Sequence, residues 1–344
     1  MDRREVLRRF GRLGAGSLAL TSLTGLGARP AAAAGSTPLI VGIGGFTFAY
    51  LPLLTAKAAG FLDAEGVDVT FVSTGGGTNA MAATLGGSVD VCGLVMSDII
   101  LAAAKGQKIK AFAPLMAQYA SDAVISVAAA KKIGLTAEMP LAERMARLEG
   151  LTLAISGRGS GTDKLWRYLV SLGGLDPDRD VTLTVVKLDQ MYAALKSGQI
   201  DGFNTTAPAN NRAVEDGLAV WAARPSRGEG PGLENFLYTV LGAKPEVLAA
   251  KGDAIGRLVA GLAKGGELVR ADPAKAGRLI QAQYFQQTDL GLVQKAVADQ
   301  VATVSVPPKL TGKQFEQNRD FMLRFGDEVK QVAATDVMDT TWSR

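Results

Sequence analysis

The sequence predicts an α/β protein with two domains, each built on a largely parallel sheet flanked by helices. Short apolar runs alternate with helical patterns between 39 and 116, and again between 151 and 203. Such alternation is typical of βαβ units and parallel sheets. A chain of 344 residues is long enough for two ordinary domains. From about residue 243 onward the patterns are helical, and we expect these helices to pack on the first domain.

The first unit begins with an apolar run at 39–43, which predicts a buried strand. Further strands are predicted at 67–72, 89–95 and 109–116. Helices are predicted between them at 52–59, at 79–85 and in a segment ending near Lys105.

The second unit repeats this order. Strands are predicted at 151–155, 181–186 and 200–203, with helices ending near Leu172 and spanning 190–196. The segment AATLGGSVD at 82–90 aligns with AALKSGQID at 193–201. Residues 38–95 and 150–206 are therefore interpreted as two copies of one structural unit. The identical pairs are Ala82 with Ala193, Ala83 with Ala194, Gly87 with Gly198, and Asp90 with Asp201.

Several helices are predicted in the last hundred residues. Pro307 and Pro308 interrupt this run. The predicted helices are 245–250, 254–271, 273–286, 290–302 and 311–325.

Composition argues against several classes of function. The segment 1–34 carries six arginines against two acidic residues, which accounts for the whole formal charge of +4. The rest of the chain has no formal net charge, which argues against binding to a nucleic acid through electrostatic attraction. The chain contains no histidine, which excludes a Ser-His-Asp triad and His-ligated zinc. We expect no catalytic residue, no cofactor and no metal.

Residues 1–34 are interpreted as an export signal. Arg3 and Arg4 resemble a twin-arginine motif, a short apolar run follows, and 31–34 are four alanines suited to cleavage near Ala34. Asp2 and Val6 depart from the twin-arginine pattern, so the general secretory route stays open. The mature chain is therefore expected in the periplasm. The alternative is a disordered basic tail on a cytosolic protein.

Ligands in open α/β sheets bind beyond the carboxyl ends of the strands, where helices begin. Helix N-termini there offer free N–H groups and partial positive charge, which suits anions. The loops that follow the predicted strands are therefore the candidate site, and Arg158 is expected to pair with an anion. The alternative for Arg158 is a solvated loop charge, and the alternatives for the other loop residues are ordinary capping, turns and core packing. Tyr119 could be a hinge residue. The candidate ligand-binding residues are Phe46, Thr47, Tyr50, Gly76, Gly77, Thr78, Ser97, Asp98, Tyr119, Arg158, Ser160, Gly161, Thr162, Asn204 and Thr205.

A set of motifs in a fixed order resembles the nitrate/sulfonate/taurine family of periplasmic binding proteins. The motifs span nearly all of 38–344; the similar stretches are 52–62, 65–69, 75–77, 87–91, 156–162, 173–177, 195–201 and 339–342. The resemblance implies a two-lobed type II periplasmic-binding-protein fold with the ligand in a cleft between the lobes. It implies crossovers near 118–123 and 233–240. Lobe 1 would then comprise 35–118 plus 238–344, and lobe 2 would comprise 119–237.

The resemblance implies the solute-binding component of an ABC-type importer. Its ligand would be a small molecule, expected to be anionic, such as a sulfonate, nitrate or carboxylate. Its partner would be a membrane permease, and the protein would be a monomer. The absence of histidine separates the chain from the related pyrimidine-precursor synthases. Two alternatives remain: a ligand-sensing protein for a membrane receptor, and an enzyme on the same fold that uses lysine or carboxylates.

Overall fold

Two five-stranded sheets form the core of the protein. The computed structural model describes residues 36–343, so the predicted export signal and cleavage site lie outside the described residues. The strands are β1 (Thr37–Ile43), β2 (Val67–Ser73), β3 (Val91–Val95), β4 (Lys110–Pro114), β5 (Asp122–Ser126), β6 (Thr152–Ile155), β7 (Thr182–Val185), β8 (Gly202–Thr205), β9 (Ala219–Ala223) and β10 (Thr239–Ala243).

Helices connect and flank these strands. Among the described residues, none of the helices is long and apolar enough to cross a membrane. The helices are α1 (Leu51–Ala58), α2 (Phe61–Ala64), α3 (Gly77–Leu85), α4 (Met96–Ala104), α5 (Val127–Ile133), α6 (Leu141–Ala146), α7 (Gly161–Leu172), α8 (Met191–Lys196), α9 (Ala209–Glu215), α10 (Pro245–Ala250), α11 (Gly252–Ala271), α12 (Pro273–Tyr284), α13 (Leu290–Gln300), α14 (Gly312–Met322) and α15 (Ala334–Val337).

Both sheets have the same topology. The first has the order β2-β1-β3-β10-β4 and the second has the order β7-β6-β8-β5-β9. In each sheet the first three strands are parallel, and the fourth runs antiparallel to both of its neighbours. The predicted α/β class is confirmed, and the sheets are mixed. The antiparallel strands are β5 and β10, which enter each sheet directly after the chain has crossed from the other.

The predicted repeat corresponds to the parallel half of each sheet. Asp90 and Asp201, which the sequence alignment pairs, have the same structural role. The Asp90 carboxylate accepts a hydrogen bond from the Ile40 N–H at 2.9 Å, and the Asp201 carboxylate accepts one from the Thr152 N–H at 2.8 Å. Each aspartate thus anchors the last parallel strand of its unit to the first strand. This shared structural role explains why the two aligned positions carry the same residue.

The C-terminal helices pack on the first sheet's helices as expected. The long helix α11 lies against α1, and Gly265 is the point of closest approach. A Cβ atom at Gly265 would come within 2.2 Å of the Pro52 carbonyl oxygen. The predicted ends of these helices agree with the structure to within a few residues.

The chain changes sheet between β4 and β5 and returns between β9 and β10. Residues 36–343 cluster as one compact unit, so the predicted lobe boundaries stay a prediction. The sequence patterns did not reveal β5, β9 or β10, nor the helices α5 and α6. These strands are short, and β5 and β10 are buried on both faces, so no alternation marks them.

A buried carboxyl group stabilises the first of these crossings. Asp122 begins β5 and is 1% exposed. Its two oxygens accept hydrogen bonds from the Ser226 N–H at 3.0 Å and the Ser226 hydroxyl at 2.6 Å. Burial raises the pKa of Asp122 to about 6, although Ser226 and Arg224 act in the opposite direction.

This carboxyl group predicts a pH dependence of stability. Because folding raises the pKa of Asp122 above its ordinary 3.8, its protonation stabilises the fold below about pH 4. That contribution is lost as pH rises through about 6. Compared with Asp122→Asn, the wild type should lose on the order of 2–3 kcal/mol between about pH 4 and pH 7. Urea unfolding across this range measures the difference, and Glu267→Gln, at an exposed position on α11, is the control. If the free energy of unfolding changed with pH by the same amount in wild type and in Asp122→Asn, the prediction would be contradicted.

Candidate ligand-binding site

A small cavity lies where the loops of the two sheets meet. Its volume is about 50 Å³. The walls come from the ends of β3, β6 and β8, from the start of β10, and from the helix starts that follow the parallel strands. This is the place where ligands bind in open α/β sheets.

Four helices of eight or more residues, α1, α3, α4 and α7, begin at the cavity wall. Gly77 begins α3, and Gly161 begins α7. The first N–H groups of a helix have no partner within the helix and carry partial positive charge. The cavity is therefore able to stabilise acceptor oxygens from two directions.

Three hydroxyl groups form a closed cluster at the start of α7. Ser156 Oγ donates to Ser160 Oγ at 3.1 Å, and Ser160 Oγ and Thr162 Oγ1 lie 2.9 Å apart. The Ser156 N–H donates to Thr162 Oγ1 at 2.8 Å. All three residues line the cavity. These mutual hydrogen bonds fix the positions of the three hydroxyl groups in the cavity wall.

Tyr50 contributes an aromatic ring to the cavity wall. Its hydroxyl accepts a hydrogen bond from the Gly44 N–H at 3.0 Å and donates to the Gly93 carbonyl oxygen at 3.2 Å. Burial raises the pKa of Tyr50 to about 12, so the hydroxyl stays protonated. Gly93 is required beneath the ring, since a Cβ atom there would lie 2.4 Å from a ring carbon of Tyr50.

A buried ion pair closes one side of the cavity. Lys164 Nζ lies 2.6 Å from Asp98 Oδ1, and the two side chains are 5% and 10% exposed. Lys164 Nζ also donates to Ser97 Oγ at 3.4 Å. Asp98 is on α4, after the first sheet's β3, and Lys164 is on α7, after the second sheet's β6. The pair therefore joins the loops of the two sheets.

One polar group at the wall is unsatisfied. Thr239 is 1% exposed, and its hydroxyl has no hydrogen-bond partner among the described residues. Thr239 begins β10 and lines the cavity. A buried hydroxyl without a partner costs free energy unless a bound molecule satisfies it.

The structure brings about half of the candidate residues to the cavity. The others lie nearby with different contacts. Lining the cavity are Thr47, Tyr50, Gly77, Asp98, Ser160, Gly161, Thr162 and Thr205.

Asn204 and Tyr119 support the wall from behind. The Asn204 amide donates to the Thr162 carbonyl oxygen at 2.8 Å, and its oxygen accepts from the Ser121 hydroxyl. The Tyr119 hydroxyl donates to the Gly161 carbonyl oxygen at 3.1 Å, and its ring packs on Tyr238. Both residues therefore position the start of α7.

The remaining candidates lie outside the cavity. Phe46 stacks on Tyr284 with ring centroids 5.3 Å apart. The Arg158 guanidinium donates to the Leu183 carbonyl oxygen at 3.0 Å and lines an outer groove of about 320 Å³, together with Thr78. Gly76 faces Ser156, and Ser97 contacts Lys164. Whether any of these residues binds ligand stays a prediction.

Sequence reasoning missed Lys164, Tyr238 and Thr239. Lys164 is inside a helix, where a lysine is ordinarily a solvated charge. Tyr238 and Thr239 precede the apolar run of β10, and recognising that short strand would have pointed to them. No cluster of three or more potential metal ligands occurs in the part of the chain that the structure describes.

Lys164→Met should destabilise the protein by about 3–5 kcal/mol, because it leaves the Asp98 carboxylate buried and uncompensated. The matched control is Lys295→Met, which breaks an exposed ion pair with the same 2.6 Å separation and should cost less than about 1 kcal/mol. Denaturant unfolding measures both. If both variants lost the same free energy of unfolding, the buried ion pair would contribute no more to stability than the exposed one.

Comparison with known proteins supports this description of the fold. The structure resembles the periplasmic nitrate-binding protein NrtA from Synechocystis PCC 6803, with a TM-score of 0.70 and 16% identity over 88% of this chain and 86% of that one. It also resembles the alkanesulfonate-binding protein SsuA from Xanthomonas axonopodis pv. citri bound to MOPS, with a TM-score of 0.67 and 19% identity over 86% and 95% of the chains. At these identities the likeness establishes the fold, which is that of periplasmic binding proteins, as expected.

Sequence similarity to curated proteins is local. The nitrate/nitrite-binding protein NrtA of Nostoc sp. PCC 7120 is 44% identical over 55 residues, which are 16% of this chain and 12% of that protein. The first curated relatives are likewise matched over only 12–13% of their own length. The model of the NMT1-like family, in contrast, matches residues 32–283, which is more than two thirds of the sequence. The chain belongs to the NMT1-like family.

Proposed function

We propose that the protein is the solute-binding component of an ABC-type importer. It captures a small molecule and passes it to a membrane permease, without catalysing a reaction. The observation that carries this proposal is the small cavity between the loops of the two sheets, lined by hydroxyl groups and helix starts, in a chain of this family and fold. NrtA and SsuA, which share the fold, bind nitrate and alkanesulfonates.

The size of the cavity supports a small ligand. One water molecule needs about 10–15 Å³ on the same measure, so about 50 Å³ provides roughly four water-sized positions. A compact molecule of a few non-hydrogen atoms fits this space. A larger ligand would need the loops of the two sheets to move apart.

The helix N-termini support an anionic ligand. The first turns of α3 and α7 border the cavity, and the first N–H groups of a helix have no partner within the helix, although Ser160 Oγ accepts the Asp163 N–H of α7. The negative charge of Asp98 does not oppose this, because Lys164 neutralises it at 2.6 Å.

Export to the periplasm is part of the same proposal. It rests on the leader-like sequence of residues 1–34 and on the names of the structural relatives, which describe periplasmic proteins. In this proposal the protein is a monomer that binds to the membrane permease of the importer. A turnover assay on any ligand found tests the proposed absence of catalysis.

Thermal unfolding of the mature chain, residues 35–344, with a panel of small molecules tests the proposal. The panel contains nitrate, bicarbonate, small sulfonates, carboxylates, pyrimidines and neutral amides. A ligand at about 100 times its Kd should add about 2.7 kcal/mol to the free energy of unfolding and raise Tm by several degrees. The protein is first refolded to remove bound ligand. A flat response to the whole panel would contradict the proposal.

Thr239→Val should weaken binding of the ligand found without destabilising the free protein. The change removes a buried hydroxyl that has no partner in the free protein, so Tm without ligand should stay or rise. The control is Thr55→Val, which removes another buried, unpartnered hydroxyl, on α1 and away from the cavity. Calorimetric titration should show about tenfold weaker binding for Thr239→Val alone. Unchanged affinity would remove Thr239 from the site.

A further inference from the structure

We propose that Asp98 makes the cavity selective for small molecules that carry an N–H or O–H donor beside their acceptor oxygens. Donor-free oxyanions of the same size are disfavoured. The inference rests on the proposed function and identifies a chemical class of ligand for it.

The ion pair presents its carboxylate to the cavity. Asp98 lines both the cavity and the outer groove that holds Arg158, whereas Lys164 lies on the wall of a separate groove beside α7 and lines neither of them. Among the described residues that line the cavity, Asp98 is the one with a formal charge. A bound molecule therefore meets an acceptor on this side and not the ammonium group.

The second carboxylate oxygen of Asp98 is available. Lys164 Nζ donates to Oδ1, and no donor among residues 36–343 forms a hydrogen bond with Oδ2. Oδ2 lies beside the start of α3, where a Cβ atom at Gly77 would come within 3.0 Å of it. An ionised carboxylate oxygen can only accept. A donor-free anion would displace water from Oδ2 without replacing its hydrogen bond, which is unfavourable.

Lys164 is poorly placed to serve a bound anion. Its ammonium group is held by Asp98 Oδ1 at 2.6 Å and Ser97 Oγ at 3.4 Å, and the side chain is 5% exposed. Two of its three N–H donors are thus engaged, and Lys164 does not line the cavity, so a molecule bound there meets the Asp98 carboxylate and not the ammonium group.

The rest of the wall favours acceptor groups on the same ligand. The helix starts at Gly77 and Gly161 present N–H groups, and the unpartnered Thr239 hydroxyl can donate. The cavity thus combines donors on several sides with one charged acceptor group, the Asp98 carboxylate. Molecules of this pattern are oxyanions with a hydroxyl or amino substituent, and small amides.

Two pairs of probes of matched size and charge test the inference by calorimetry on the ligand-stripped mature chain. Sulfamate is compared with methanesulfonate, and bicarbonate with nitrate. In each pair both molecules are monoanions with the same number of non-hydrogen atoms, and only the first carries a donor. We expect the donor-bearing member of at least one pair to bind about tenfold or more tightly, the ratio for one hydrogen bond to a charged group.

The variant for this test is Asp98→Asn combined with Lys164→Met, which removes the carboxylate and keeps the net charge. An Asn side chain also donates, so the preference should fall to within about threefold. The control, Glu215→Gln combined with Lys295→Met, removes an exposed ion pair and should keep the wild-type preference. Far-ultraviolet circular dichroism confirms that both variants are folded.

If the donor-free member binds equally or more tightly in every pair that the wild type binds, the inference is overturned, while the proposed function stands. A preference that persists in the double variant would equally remove Asp98 as its cause. If neither pair binds, the wider panel decides: a donor-free ligand overturns the inference, and a donor-bearing ligand whose affinity falls in the double variant supports it. A protein that binds no member of any panel contradicts the proposed function as well.

Discussion

The site depends on the close contact between the first turns of α4 and α7. Asp98 and Lys164 form their buried ion pair there. Next to the pair, a Cβ atom at Gly161 would come within 2.7 Å of a Val95 methyl group, so the approach requires glycine. Removing one partner of such a pair costs far more than losing an exposed salt bridge. This contact joins the loops of the two sheets beside the cavity.

The duplicated βαβ topology explains why polar groups converge at this point. In both sheets the central parallel strand and its neighbours end at the same edge, and helices start there. The two edges face each other, so helix starts from both units border one cavity. Chain crossings near Asp122 and Thr239 hold the sheets in this arrangement, and both residues begin strands that run antiparallel to the repeat. The same topology can therefore serve different ligands, with the choice left to a few side chains such as Asp98.

Prediction from the sequence succeeded for the loops and was weaker for individual residues. Thr47, Gly77 and Ser160 were found because they follow strands and precede helices, a relation visible in the sequence. Arg158 satisfies the same relation, but its guanidinium bonds to the Leu183 carbonyl oxygen and lies on the outer groove. The direction of a long side chain depends on partners from distant parts of the chain, and spacing along the sequence does not contain that information.

The sequence by itself determined the α/β class, the repeat and the edge of the sheets at which a site lies. Those features follow from local periodicity and from turn residues, which act over a few positions. Only the tertiary structure decided that Lys164 neutralises Asp98, that the Thr239 hydroxyl is left without a partner, and that Asp98 lines the cavity. These facts are contacts between residues tens to hundreds of positions apart. They arise where the loops of the two sheets meet, because burial there decides which polar groups find partners.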